Sequence, residues 1–99
     1  MAVRHLVLLR FTDDTSAAER DSIATEFAAL RAQIAGITAF EWGTNVSPEG
    51  LTKGFTHAFA LTFTDSAARD AYLPHPAHRA FVERMKPHVA DVLVFDYPV

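Results

Sequence analysis

Cysteine is absent from the chain, which removes disulfides, iron–sulfur ligation and thiol nucleophiles at once. A basic excess is missing too: nine Lys and Arg against twelve Asp and Glu leave a net charge of −3. Without a cationic footprint, neither nucleic acid nor an anionic membrane surface is an expected partner. No apolar run approaches the ~20 residues that span a bilayer, and the N-terminus has no secretory pattern, so the expected location is cytoplasmic. There is no Gly-rich phosphate loop, no serine motif for nucleophilic hydrolysis and no His-Glu-x-x-His zinc motif. His75-x-x-His78 has the spacing of helical metal ligands. Pro76 nevertheless places His75 outside any helix that holds His78, so the two rings need not converge. No metal and no cofactor are expected.

What the chain does have is apolar mass. Its 99 residues make one domain, residues 1–99, and 49% of them are hydrophobic, including eight phenylalanines. That composition belongs to a packed globule. A domain of this size buries its surface only marginally, and pairing with a second copy would help.

Residues 3–11 alternate as a strand whose two faces, Val3, His5, Val7, Leu9, Phe11 and Arg4, Leu6, Leu8, Arg10, are both apolar at the middle. A strand of that kind is central and covered on both sides. Ser16 and Glu19 have capping-box spacing at the start of a helix, and Ile23, Phe27, Leu30 and Ile34 form its buried stripe before Gly36 stops it. A second strand is expected over 38–46 and an exposed loop over 47–54. A third strand, over 55–64, sets Phe55, His57, Phe59, Leu61 and Phe63 against a small face of Thr56, Ala58, Ala60, Thr62 and Thr64. A short helix capped by Asp65-Ser66 leads to about Leu73. A further helix ends near Pro87, and a last strand runs over 89–97. The order βαββαβ predicts a ferredoxin-like α+β protomer with helices on one sheet face. The opposite, small-residue face invites a second subunit, giving a dimeric α+β barrel.

The stretch Tyr72-Leu73-Pro74-His75-Pro76-Ala77-His78 concentrates the chemistry. Its prolines forbid a continuous helix, while Pro76 suits the first position of a new one, placing His78 in an opening helical turn. Positive potential at a helix start favours neutral imidazole, the form a general base needs. Tyr72 across the turn is positioned to hydrogen-bond an enolate oxygen. Asp96 shares the apolar stripe of Val92 and Val94, and is expected to accept the other N–H of His78. His5 and His57, on neighbouring strands, read as satisfied core histidines or as polar anchors in an apolar ligand cavity. His88 reads as a surface residue near a helix end.

Together, Val3-Arg4-His5-Leu6-Val7, Gly54-Phe55-Thr56-His57, the Tyr72-x-x-His75-Pro76-x-His78 turn and Phe95-Asp96-Tyr97 resemble the stress-responsive dimeric α+β barrel family over essentially the whole chain. The resemblance implies a homodimer with facing sheets. Through a plant polyketide cyclase of that family it implies His78 as catalytic base, Tyr72 as binder of the polarised carbonyl oxygen, Asp96 as the acid of the closing strand, and His5 and His57 as pocket histidines. Phe27 stands where that cyclase has a pocket tyrosine, and Val89 where it has a tryptophan, so the substrate does not carry over.

The expectation is therefore an apolar pocket between sheet and helices, with Phe27 and Leu9 in its lining, taking a small apolar or carbonyl-containing ligand. The chemistry expected there is cofactor-free cyclisation, isomerisation or a related enolate reaction. Competing readings are a non-enzymatic stress-associated binder and a monooxygenase of the wider dimeric α+β barrel kind.

Overall fold

A computed structural model describes residues 1–99. Strand β1 (Val3–Phe11) buries Val3, His5, Val7, Leu9 and Phe11 and leaves Arg4, Leu6 and Leu8 half-buried on the other face. Its alternation follows from the two-residue period of an extended chain. Helix α1 (Ala17–Gln33) is capped by Ser16, whose hydroxyl accepts the Glu19 N–H at 3.1 Å. Half of the expected capping box is redirected, because the Glu19 carboxylate pairs with Arg84. Ile23, Ala24, Phe27 and Leu30 form the buried face of α1, and Ile34 follows it into the core. Gly36 then turns the chain at φ +96°, and a Cβ there would lie 2.7 Å from the Ala68 Cβ. Only glycine accepts both the conformation and the approach.

Strand β2 (Ile37–Thr44) and strand β3 (His57–Phe63) are each shorter at the loop side than the sequence pattern suggests. The loop chemistry begins earlier: the Asn45 side chain accepts the Ser47 N–H at 3.0 Å, an Asx turn that draws the chain out of the strand. Helix α2 (Ser66–Tyr72) is capped by Asp65, helix α3 spans Pro76–Met85, and a 3₁₀ turn (Lys86–His88) leads into strand β4 (Val89–Pro98).

The four strands form one antiparallel sheet in the order β2-β3-β1-β4. This is the ferredoxin-like βαββαβ arrangement, with β1 and β3 central. On the inner face Phe27 stacks on Phe59 at 4.5 Å and meets Phe81 at 4.9 Å and Phe40 at 5.4 Å. On the outer face Leu6 lies opposite Ala60 and Phe95, and Leu8 opposite Ala58 and Leu93. Nothing in the protomer covers that face, where Phe95 is 59% exposed. His88 is less peripheral than expected: its Nδ1 lies 3.4 Å from Oγ1 of the buried Thr15, and its Nε2 3.6 Å from Glu19.

Candidate active site

The two prolines divide the stretch after β3 into separate helices, and the capping of each break builds the site. His75 caps α3, its Nδ1 accepting the Ala77 N–H at 3.0 Å. His78, one turn into α3, donates its Nδ1–H back to the Leu73 carbonyl at 2.9 Å. That bond fixes the neutral tautomer whose Nε2 carries the lone pair. It also lays the His78 ring on that of Tyr72, with centroids 4.2 Å apart. Burial holds His78 below the ordinary imidazole range, and charge on His5 or His75 adds to this, while the Leu73 carbonyl opposes it. A histidine kept neutral with a free Nε2 is chemically a base.

Tyr72 has no exposed surface and packs against Phe63 at 5.0 Å and His5 at 5.9 Å. Its hydroxyl is buried without any hydrogen-bond partner, the one side-chain polar atom in the protein so placed. Burial pushes the phenol far above its usual range, so it stays a proton donor. Leaving such a group unsatisfied costs ~1–3 kcal/mol, a cost that an oxygen acceptor would remove.

Asp96 departs from expectation. Its Oδ1 accepts from His5 Nδ1 at 2.6 Å and its Oδ2 from Arg69 Nη1 at 2.6 Å, and His78 is not its partner. The cause is register. Asp96 sits directly opposite His5 on the β4–β1 ladder, whereas the Nδ1–H of His78 is engaged by Leu73. Arg69 is the participant that sequence reasoning missed. Its signal was the i, i+3 spacing to Tyr72 on α2, which puts both on one helix face.

The remaining expected pocket residues lie elsewhere. Leu9 is fully buried and Phe27 is 2% exposed, and Phe27, Phe59 and Phe81 fill the space where an apolar cavity was expected. His57 pairs with Leu9, four residues along β1 from His5, or about 13 Å at strand rise. It packs edge-on to Phe11 at 4.9 Å and hydrogen-bonds Thr56 at 2.8 Å. Burial and then Arg20 lower its pKa, with Asp21 opposing. Trp42 lies 42% exposed on the β2 edge, stacked at 6.0 Å on His57.

The clefts follow the same division. One of about 470 Å³ lies beneath the β2–β3 loop, touching His57, Lys53 and Leu8. It is far from the Tyr72 hydroxyl, so its size is no guide to the chemistry. Another of about 430 Å³ is open to solvent and lined by Leu73, His78, Arg79, Ala80, Val82 and Glu83. His78 is thus reachable from outside while its tyrosine neighbour is sealed within.

Residues 3–99 match the family model of the stress responsive A/B barrel domain. The chain belongs to that family. Olivetolic acid cyclase of Cannabis sativa is 30% identical over 97 residues, covering 98% of this chain and 96% of its own. The hydroxynitrile lyase from Passiflora edulis superposes with a TM-score of 0.93 at 27% identity, covering 99% of this chain and 93% of its own. A dimeric ferredoxin-like protein from Jannaschia sp. superposes with a TM-score of 0.86 at 27% identity over the full length of both chains. The fold is therefore shared with a hydroxynitrile lyase and a dimeric ferredoxin-like protein, and the sequence is similar to that of a cyclase. No helix is long and apolar enough to cross a membrane.

Proposed function

We propose that this protein is a cofactor-independent enzyme of the cyclase or lyase kind acting on a small carbonyl compound. The observation that carries the reading is the Tyr72 hydroxyl, buried without a partner beneath the ring of a neutral histidine. His78 Nε2 takes a proton from the substrate, and the Tyr72 hydroxyl hydrogen-bonds the oxygen on which charge develops. A cyclase and a hydroxynitrile lyase are among the relatives of this chain, and a base beside a donor at an oxygen suits either kind of reaction. Asp96 contributes through His5. Leu9, Phe27 and His57 would reach a ligand only after the packed aromatic side chains move.

His78→Ala is expected to abolish turnover of a poly-β-keto or cyanohydrin substrate while an inert analogue still binds. Tyr72→Phe should cost on the order of a hundredfold in rate, the scale of losing one oxyanion donor. If both variants change affinity alone, and no such substrate turns over above background, the protein is a binder. One observation favours that second reading: the inner space is filled by Phe27, Phe59 and Phe81, so a ligand must displace side chains to enter.

The working form is a homodimer closed by the outer sheet face, in the cytoplasm. Ala60→Glu buries an unpaired charge in that interface and should convert a sedimenting dimer to monomer or aggregate. A wild-type protein that sediments as monomer at micromolar concentration contradicts this assembly.

A further inference from the structure

On the inner face of the β4 edge, Val92 is 46% and Val94 55% exposed, so the helices leave this stripe largely uncovered. Asp96, next in the stripe, is held from the helical layer by Arg69 of α2. The Arg69 guanidinium spans two carboxylates, with Nε 2.8 Å from Asp70 Oδ1 and Nη1 2.6 Å from Asp96 Oδ2. Asp96 therefore carries one negative charge between two groups able to be positive, Arg69 and His5. Arginine keeps its charge at all working pH values, so the carboxylate is already matched.

The charged and titratable surroundings of His5 argue the same way. Asp96 faces it from β4 and Tyr72 from α2, Arg69 of α2 reaches it only through Asp96, His78 of α3 feels its charge, and β3 contributes the neutral edge of Phe63. Asp70 lies beyond Arg69 and is turned to its Nε. The single nearby acid is thus shared, and the other ionisable neighbours are cationic or neutral.

We infer that Arg69 is a positioning residue: through Asp96 it fixes the His5 ring with its Nδ1–H on the carboxylate, which leaves His5 Nε2 as a second polar nitrogen beside Tyr72. The inference rests on the proposed carbonyl chemistry for its use, since Nε2 of His5 would accept a hydroxyl or enol hydrogen of the substrate while His78 acts as base. The arrangement itself depends only on charge and geometry. Arg69 does not touch the reacting atoms and acts through the carboxylate.

Imidazole ¹⁵N–¹H correlation spectra across pH test this without any substrate. In the wild type, His5 should show the Nδ1–H tautomer. In Arg69→Leu, with the carboxylate no longer held from α2, the His5 ring should lose its single-tautomer pattern, and Arg69→Lys should restore most of the wild-type behaviour. Asp96→Ala removes the acceptor itself and should do the same, so a second variant guards against one failing to fold. A His5 tautomer pattern unchanged in Arg69→Leu overturns the inference. If the spectra change as expected but no carbonyl substrate is ever turned over, the catalytic reading fails and the positioning role stands. Turnover with an unmoved His5 spectrum removes the positioning role alone.

Discussion

The two ends of the inner sheet face are built from similar residues and solve burial differently. Around Phe27, aromatic rings meet only aromatic and aliphatic neighbours, and His57 beyond them bonds the adjacent Thr56. Around Tyr72, two imidazoles, a carboxylate and a guanidinium share the space with the phenol, and one hydroxyl is left over. Buried polar groups in folded proteins are overwhelmingly paired. An exception beside a base-competent histidine is the observation on which the proposed ligand site rests. The aromatic end shows what the same fold does when it has only packing to achieve.

The contrast breaks most visibly by mutation at the packed end. Phe27→Ala should lower unfolding free energy by ~3–5 kcal/mol, measured by denaturant titration, because three aromatic neighbours lose their contact. The His5 and His78 resonances should move little, since the polar end is held by its own hydrogen bonds. Large perturbation of those resonances would show the two ends to be one cooperative unit.

A smaller effect separates the histidines of the two ends. His78 and His57 both have lowered pKa values in the folded protein. Between those folded values and the unfolded value of about 6.5, the unfolded chain binds more protons, so stability rises with pH. The contribution is complete above the unfolded value and is lost as pH falls through the folded ones. The melting temperature should therefore fall from pH 7 towards pH 5, and His78→Gln and His57→Gln should each flatten part of that slope. Added salt should weaken both shares, because charge contributes to each, from Arg20 at His57 and from His5 and His75 at His78. A slope unchanged in both variants would place the pH dependence on the carboxylates.

Much of the fold was legible in the sequence, for local reasons. The period-two alternation of residues 55–64, the stripe of Ile23, Phe27, Leu30 and Ile34, and the break at Pro74 and Pro76 each decide an element without distant help. The meeting of Tyr72 with His78 was legible too, because a proline turn holds residues six apart within reach. The partner of Asp96 was not. It depends on which residue faces position 96 across the β4–β1 ladder, and on a guanidinium reaching from another layer, and neither is written in local spacing. The expected cavity failed similarly. Whether Phe27 and Leu9 line a hollow or fill it is decided by side chains from three elements, Phe59 and Phe81 among them, that only tertiary packing brings together.

The central claim is that the Tyr72 hydroxyl has no structural partner and is kept for a ligand. The most direct test is the unfolding free energy of Tyr72→Phe against wild type, without ligand and at pH 7. Removing a buried, unsatisfied hydroxyl while keeping its ring should leave the protein as stable or more stable, by up to ~1–3 kcal/mol. A loss of more than ~1 kcal/mol would mean that the hydroxyl already makes a bond that holds the fold, and the account of this site would be wrong.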